Sequence, residues 1–309
     1  MTNTVLVTGS GGFLGDHCAQ LFAQQGWSVL GLGPNTSGSH YCKTQTGRLD
    51  SHTLQSLGEG RRIDAIVHAA GGASVRQAEL EPDAEYADTV TSTQILVDWV
   101  AQQCPGVRIV YLSSAAVYGD PDTHGEPLSE NDPRTPISNY GAHKLEAENL
   151  ILDLARHSSG TCAIVRFFSI FGAGLRKQIL WDIANKAAAG AQVSLMGSGH
   201  ETRDFLHVTD AARLLVQLAQ PGQTESVVVN GGTGNATSTR ALATGLVEQL
   251  TAIDPAYQSE IVFDRPSPEG DPAHLIADTQ KLADFGFTHT VSLSEGMEGY
   301  AHWFHQQRV

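Results

Sequence analysis

Short apolar segments alternate with amphipathic segments along the first half of the chain. The apolar segments are predicted strands, at residues 5–7, 27–32, 61–68, 108–114 and 162–168. Helical periodicity extends from about Ala84 to Gln103, and again from Tyr140 to about His157. Strands that alternate with helices indicate a parallel sheet with helices on both faces. We therefore predict an α/β fold built on a doubly wound parallel sheet.

After Gly172 the alternation becomes less regular. Helices or strands are predicted there at residues 178–189, 226–232, 238–250 and 260–263. The last helix is predicted to begin at Ser292, because Glu295 follows at the spacing of a capping box. We expect two parts of unequal size. The first is residues 1–165, which the chain re-enters around 205–232, and the second is a smaller C-terminal α+β lobe, 166–309.

Three glycines follow the first predicted strand at three-residue spacing. Gly9, Gly12 and Gly15 lie between that strand and the first helical pattern. A pyrophosphate group needs bare backbone at close approach and the free N–H groups of a helix N-terminus. Gly9 suits the turn, Gly12 the approach of the phosphates, and Gly15 the packing of the helix on the strand. The sequence therefore predicts that residues 1–165 are a Rossmann-like dinucleotide-binding domain.

The composition excludes several classes of partner. The chain has 309 residues, 41% of them hydrophobic, which is enough for a large core. Its net charge of −14 argues against nucleic acid and anionic membranes. The four cysteines are scattered without metal-binding spacing, as in a reduced compartment, so we expect no metal. No apolar run reaches the ~18 residues of a membrane span, and we expect no signal peptide and a cytoplasmic location.

Tyr140 and Lys144 stand four residues apart on a predicted helix and therefore share one face. A phenol with a pKa of about 10 is a weak base at neutral pH, but a nearby ammonium group lowers that pKa. This pairing is typical of a general acid or base. Ser114 ends the preceding strand, where it can hydrogen-bond the oxygen that Tyr140 protonates. We predict that Ser114, Tyr140 and Lys144 are catalytic.

Together these motifs resemble the extended short-chain dehydrogenase/reductases, the nucleotide-sugar epimerase/dehydratase family. The resemblance covers essentially the whole chain. The similar segments are Thr8–Gly15, Leu49–Asp50, His68–Gly71, Ser113–Gly119, Tyr140–Lys144, Arg203–Asp210, Gly270–Asp271 and Ala277–Lys281. The resemblance implies that residues 166–309 form a substrate-binding lobe.

The resemblance also implies that the chain binds NAD. The implied cofactor contacts are Gly9, Gly12, Phe13, Leu14, Gly15, Asn35, Leu49, Asp50, His68, Ala69, Ala70, Gly71, Tyr140, Lys144 and Phe167. Family members that use NAD usually end their second strand with an acidic residue, and this chain has Gly33 there. Since no carboxylate is present to repel a 2′-phosphate, NADP is the alternative cofactor.

The implied substrate is a nucleotide-diphosphate sugar. Its implied contacts are Ser114, Ser169, Arg203 and Arg265. Arginine suits the diphosphate because it makes bidentate, charge-assisted contacts. Family dehydratases carry an acidic residue just after the catalytic Ser or Thr, where this chain has Ala115 and Ala116. We therefore expect a 4-epimerase that acts through a transient 4-keto sugar.

Two other functions use the same residues. The first is an NADPH-dependent reductase of a nucleotide-linked 4-keto (often 6-deoxy) hexose, in which Tyr140 acts as the acid. The second is a non-catalytic dinucleotide-binding regulator, which the intact Ser114, Tyr140 and Lys144 argue against. Members of the family commonly dimerise through two helices per subunit. We therefore expect a homodimer through the helix near Ile95–Trp99 and the helix after Tyr140.

Overall fold

A computed structural model describes residues 2–121, 125–266 and 272–308 of the chain. The chain forms two compact units. The first contains residues 1–119, 130–167 and 211–230, and the second contains residues 120–129, 168–210 and 231–309. Each unit is therefore assembled from separate stretches of the chain.

The strands and helices are numbered in chain order. The strands are β1 (Thr4–Thr8), β2 (Ser28–Leu32), β3 (Lys43–Gln45), β4 (Ala65–His68), β5 (Arg108–Ser114), β6 (Thr161–Phe167), β7 (Ser169–Phe171), β8 (Ala191–Met196), β9 (Thr202–Arg203), β10 (Phe205–His207), β11 (Val227–Gly231), β12 (Thr237–Ser238), β13 (Ser259–Arg265) and β14 (His274–Leu275). The helices are α1 (Phe13–Gln24), α2 (Ser51–Gly58), α3 (Val75–Leu80), α4 (Pro82–Tyr86), α5 (Ser92–Gln103), α6 (Asn139–His157), α7 (Gln178–Ala189), α8 (Val208–Leu218), α9 (Thr239–Ile253), α10 (Gln280–Asp284) and α11 (Leu293–Gln306).

Within the described residues, the first unit contains a seven-stranded sheet in the order β11-β6-β5-β4-β1-β2-β3. The strands from β1 to β6 pair in parallel, and Val5 of β1 lies opposite Val29 of β2 on one side and Ala65 of β4 on the other. The strand order reverses between β1 and β4, which opens a crevice at their carboxyl ends. Ligands of doubly wound sheets bind at such a crevice.

The central strands of this sheet are apolar, and helices cover both of their faces. Val5, Leu6 and Val7 of β1 are fully buried. Leu54 of α2 and Leu96 of α5 pack into the same core as Leu6, together with side chains of α6. Such continuous apolar runs are typical of parallel strands that are buried on both faces.

The long helix predicted from Ala84 to Gln103 is interrupted. A π-helical turn, Ala87–Thr91, separates α4 from α5. Two hydroxyl groups bond backbone carbonyls there: Ser92 donates to Asp88 O (2.5 Å), and Thr93 donates to Thr89 O (2.6 Å). Such side-chain bonds compete with the regular helical ladder, and π-turns are frequent at functional sites.

The second unit is organised by short strands. Strand β7 pairs with β10, β8 pairs with β13, and β9 lies between β12 and β14. Asp204, which follows β9, is fully buried. Its carboxylate accepts hydrogen bonds from the N–H groups of Thr233 (2.8 Å), Gly234 (2.8 Å) and Ala277 (3.2 Å). This one side chain therefore joins three segments of the unit.

Helix α9 packs against α7 and α11 in the second unit. It buries Leu242, Leu246 and Leu250 completely. Helix α11 begins where the sequence predicts, because Ser292 and Glu295 form the expected capping box. None of the described helices combines the length and the apolar character needed to cross a bilayer.

Residues 120–129 belong to the second unit, although β5 and α6 on either side of them belong to the first. Leu128 forms an isolated parallel bridge with Ala277. The Leu128 N–H donates to Ile276 O, and the Asp278 N–H donates to Leu128 O, each at 2.8 Å. Because these hydrogen bonds join backbone groups, the hydrophobic pattern of the sequence does not predict them.

Candidate active site

The glycine turn is closely packed at the crevice between β1 and β4. Gly9 has a φ of +66°, and a Cβ atom there would lie 2.5 Å from the carbonyl carbon of Ala69. A Cβ atom on Gly15 would lie 2.3 Å from the carbonyl oxygen of Gly9. The Gly12 N–H closes the turn by donating to Gly9 O at 2.9 Å. Larger residues at Gly9 or Gly15 would displace backbone, so the structure requires glycine at both.

Helix α1 presents free donors to this crevice. Its first i→i−4 bond runs from the Asp16 N–H to Gly12 O, at 2.9 Å. The N–H groups of Phe13, Leu14 and Gly15 therefore have no helical acceptor, and no side chain among the described residues caps the helix. A helix N-terminus of this kind is suited to a diphosphate. The residues present thus fit the dinucleotide that the sequence predicts.

The loop after β2 lies against the glycine turn. A Cβ atom on Gly11 would lie 2.1 Å from Pro34 O. Asn35 is exposed and has a φ of +59°. Next to it, the Thr36 hydroxyl hydrogen-bonds the Ser10 hydroxyl at 2.8 Å. These contacts bring Asn35 close to the predicted phosphate site.

Asp50 caps a helix in this fold. It is the N-cap of α2, and its carboxylate accepts a hydrogen bond from the Thr53 N–H at 2.7 Å. This bond lowers the pKa of Asp50. Leu49 is partly buried against the core of the first unit. Contact of Leu49 and Asp50 with adenine stays a prediction.

His68 ends β4 in a fully buried position. Its ring nitrogens hydrogen-bond the hydroxyl groups of Thr8 (2.7 Å) and Thr93 (2.9 Å). Burial lowers the pKa of His68 to about 3, so the ring is neutral. The following Ala69 and Ala70 donate their N–H groups to Thr8, at 3.1 and 3.3 Å. His68 therefore joins β1, β4 and α5 and fixes the residues that lead to Gly71.

Ser114, Tyr140 and Lys144 come together at the carboxyl end of β5. Ser114 is the last residue of β5, and α6 begins at Asn139 with Ser138 as its N-cap. The Ser114 side chain is close enough to the Tyr140 phenol to lower its pKa. The Lys144 Nζ lies 5.8 Å from the centroid of the Tyr140 ring and donates to Leu112 O at 3.1 Å. The structure thus brings the three predicted catalytic residues together.

The pKa of Tyr140 differs from the value that the sequence predicts for a phenol beside an ammonium group. Burial raises the pKa of Tyr140 to about 12; the hydrogen bond to Ser114 opposes this rise, and the Glu85 carboxylate adds to it. Burial lowers the pKa of Lys144 to about 8, against the effect of Glu85 and Glu148. The expected decrease in the pKa of Tyr140 is therefore not present, because desolvation is the largest contribution and raises that pKa.

Glu148 and Arg166 hold together the segments that carry the predicted catalytic residues, and the sequence pattern did not reveal this pair. Both are buried, and they form a bidentate ion pair with distances of 3.0 and 2.9 Å. Glu148 also accepts a hydrogen bond from Ser113 at 2.5 Å. It lies four residues after Lys144, so helical spacing was the available signal. The pair anchors α6 to β5 and β6.

The remaining predicted contacts fall in different places. Phe167 is buried at the end of β6, directly opposite Ser114 in the sheet. Ser169, Arg203 and Arg265 all belong to the second unit. Arg203 donates to Thr202 O at 2.9 Å, and Arg265 is half-exposed beside Asp264 at 3.5 Å.

Gly270–Asp271, which resembles a family segment, lies outside the described residues. Among the residues that the structure describes, no cluster of His, Cys, Asp or Glu could hold a metal ion.

The glycine turn at the switch point and the Ser–Tyr–Lys group beside β5 define a dinucleotide-dependent enzyme of Rossmann-like fold. The model of the NAD dependent epimerase/dehydratase family matches residues 5–231, and the chain belongs to this family. The family and the class of enzyme predicted from the motifs are confirmed.

Relatives with assigned names match over most of their length. UDP-arabinose 4-epimerase 1 of Arabidopsis thaliana is 27% identical over 97% of this chain and 78% of its own. UDP-glucose 4-epimerase of Bacillus subtilis (strain 168) is 28% identical over 90% of this chain and 89% of its own.

Solved structures have the same fold. MoeE5 in complex with UDP-glucose and NAD has a TM-score of 0.83 and 27% identity, covering 99% of this chain and 100% of that one. A UDP-glucose 4-epimerase from Thermotoga maritima has a TM-score of 0.89 at 23% identity, with coverage of 99% and 100%. The predicted Rossmann-like fold is confirmed.

Proposed function

We propose that this protein is an NAD-dependent nucleotide-sugar 4-epimerase that acts through a transient 4-keto sugar. The observation that carries the proposal is the grouping of Ser114, at the end of β5, with Tyr140 and Lys144 of α6, where the Lys144 Nζ lies 5.8 Å from the centroid of the Tyr140 ring. The absence of an acid at Ala115 and Ala116 disfavours dehydration, and the named relatives include 4-epimerases.

Tyr140 exchanges the proton in this mechanism. Its phenolic oxygen removes the proton from the C4 hydroxyl and later returns it to the same oxygen, while Ser114 holds that oxygen by a hydrogen bond. Bound NAD supplies hydride acceptance and return at C4. Lys144 contributes positive charge that favours the phenolate, and it is the group placed to hold the nicotinamide ribose.

The cofactor is proposed to be NAD. The N–H groups of Phe13, Leu14 and Gly15 bind the diphosphate in this arrangement, and Asn35, Leu49 and Asp50 lie on the adenosine side. Ala69, Ala70, Gly71 and Phe167 are proposed to line the nicotinamide side. His68 has no exposed surface and is proposed to support this segment through its bonds to Thr8 and Thr93. NADP stays the alternative, because Gly33 offers no carboxylate to repel a 2′-phosphate.

The substrate is proposed to be a nucleotide-diphosphate sugar, and UDP-linked sugars are the first to test because the relatives are named for them. Arg203 and Arg265 are the proposed diphosphate ligands, since a guanidinium group binds phosphate oxygens in a bidentate manner. Ser169 is the proposed sugar contact. Residues 166–309 are accordingly proposed to supply the substrate lobe.

The test begins with the purified protein. Denaturation should release a dinucleotide, and NAD in a one-to-one ratio is expected from an epimerase, which regenerates its cofactor in place. Incubation with UDP-glucose or another UDP-sugar should yield the C4 epimer without net consumption of cofactor. An empty protein that consumes NADPH with a 4-keto sugar would instead establish the reductase.

Tyr140→Phe should abolish the epimerisation and leave the fold intact, with a loss of at least about 100-fold in kcat. Tyr257→Phe is the matched control, because Tyr257 belongs to the second unit and bonds His305 there. Full activity of Tyr140→Phe would refute the mechanism.

The homodimer through α5 and α6 and the cytoplasmic location stay predictions. Analytical ultracentrifugation of the purified protein measures the first of these directly.

A further inference from the structure

Glu85 is a buried carboxylate close to the catalytic helix. Only 5% of the residue is exposed. Its Oε1 accepts a hydrogen bond from the Thr89 hydroxyl at 2.5 Å, and its Oε2 pairs with His143 Nδ1 on α6. A buried carboxylate is expensive to desolvate unless it is paired. Nothing in the proposed reaction uses Glu85 or His143 directly, so their burial needs another explanation.

The Glu85 carboxylate also fixes the turn after β4. The Thr89 hydroxyl accepts a hydrogen bond from the Gly72 N–H at 2.8 Å while it donates to Glu85. A Cβ atom on Gly72 would lie 2.3 Å from Glu85 Oε1, and one on Gly71 would lie 3.3 Å from Lys144 Nζ. The turn therefore lies between the Glu85 carboxylate and the Lys144 ammonium.

Among the described residues, few titratable groups lie close to Tyr140 and Lys144. The titratable groups that face them from the surrounding elements are Glu85 of α4, Glu148 of α6, Tyr111 of β5 and His68 of β4. Glu148 is already compensated by its bidentate pair with Arg166. Within the described part of the chain, Glu85 contacts the side chains of Thr89 and His143, and Tyr86 packs edge-on against the His143 ring at 5.1 Å.

We propose that the Glu85–His143 pair is a positioning element of the active site. It holds the Gly71–Gly72 turn through Thr89, and it supplies the negative charge that Tyr140 and Lys144 face from α4. The charge keeps the buried Lys144 cationic and the Tyr140 phenol protonated until a positively charged nicotinamide is present. Its connection with catalysis rests on the proposed function, whereas its effect on Tyr140 does not.

Three full-length variants separate the charge of Glu85 from its shape. Glu85→Gln keeps the shape and the acceptor for Thr89 but removes the charge. Glu85→Asp keeps the charge on a shorter side chain. Glu146→Gln is the matched control, because it removes an exposed carboxylate from α6, the helix that carries Tyr140.

The measurement is an ultraviolet titration of tyrosinate in each protein loaded with NAD+. The titration of the same variant combined with Tyr140→Phe is subtracted in each case, so that the signal reports Tyr140 alone. Thermal unfolding of each variant shows whether it is folded. Because the titration needs no substrate, it is read independently of whether the protein epimerises a sugar.

Glu85→Gln should lower the Tyr140 midpoint by about one pH unit, while Glu85→Asp and Glu146→Gln keep the wild-type midpoint. A wild-type midpoint in Glu85→Gln would overturn the proposal, and so would an equal shift in Glu85→Asp, because shape alone would then explain it. If Glu85→Gln does not fold, the double variant Glu85→Gln/His143→Asn retains an amide hydrogen bond and should show the same decrease. An unshifted midpoint there would also overturn the proposal.

Discussion

At the scale of single residues, Lys144 shows how burial and function oppose each other. Its side chain is almost completely buried, and the ammonium has one backbone acceptor, Leu112 O. Burial lowers its pKa from 10.5 to about 8. The unfolded chain therefore binds this proton more tightly than the folded protein does. The free energy of unfolding consequently rises with pH between about 8 and 10.5. Below pH 8, burying the charged Lys144 costs its full desolvation penalty.

Lys144→Met should accordingly be inactive but more stable than the wild type, by up to about 3 kcal/mol near pH 7. This difference in the free energy of unfolding should shrink as the pH rises through 8 toward 10.5. Urea unfolding across that range measures it. Lys186→Met is the control, because Lys186 is half-exposed in an ion pair with Asp182 and should show a small, pH-independent change. A variant less stable than wild type at neutral pH would contradict the prediction.

At the scale of elements, the β1–α1 connection was predictable because its signal is local. The apolar strand, the three glycines and the helix are consecutive in the sequence, and each glycine has a steric reason to be there. The Ser114, Tyr140 and Lys144 group followed from strand-end and helical spacing. The parallel sheet followed from the alternation, except for the short polar strand β3, Lys43–Gln45, which has no apolar run to reveal it.

The supporting residues were not predictable in the same way. Glu85 and His143 are 58 positions apart, and Arg166 and Glu148 are 18 apart. Only the folded chain shows that they meet. The π-turn at Ala87–Thr91 was missed because its cause is side-chain hydrogen bonding, which helical periodicity does not record.

The glycine turn gives a prediction at this scale. Gly15→Ala places a methyl group 2.3 Å from Gly9 O, so the turn must shift away from the diphosphate site. We expect dinucleotide binding to weaken at least about 10-fold and stability to fall by about 1–3 kcal/mol. Isothermal titration with NAD and thermal unfolding measure the two effects.

Gly299→Ala is the matched control, because Gly299 is also helical and a Cβ atom there meets nothing within 4 Å. It should leave NAD binding unchanged and raise stability by about 0.5–1 kcal/mol. Equal NAD affinity in Gly15→Ala and the wild type would exclude the diphosphate from this turn.

At the scale of the whole molecule, the residues proposed to bind the dinucleotide and the two arginines proposed to bind the substrate belong to different units. The glycine turn, His68 and the catalytic group belong to the first unit, and Arg203 and Arg265 belong to the second. NAD and UDP, each bound alone, should therefore protect different stretches of backbone from hydrogen exchange. Each unit is assembled from separate stretches of the chain, so the boundary between the units cannot be found at a single position in the sequence.

Hydrogen–deuterium exchange tests that division. NAD alone should slow exchange at residues 9–15 and 68–72, because it occupies N–H groups at the crevice of the sheet. UDP alone should slow exchange near β9 and the end of β13, where the two arginines lie. Arg203→Ala should remove the UDP effect and keep the NAD effect, whereas Gly15→Ala should do the reverse. Protection by UDP confined to the glycine turn would assign the diphosphate of the substrate to the first unit and remove the proposed role of the second.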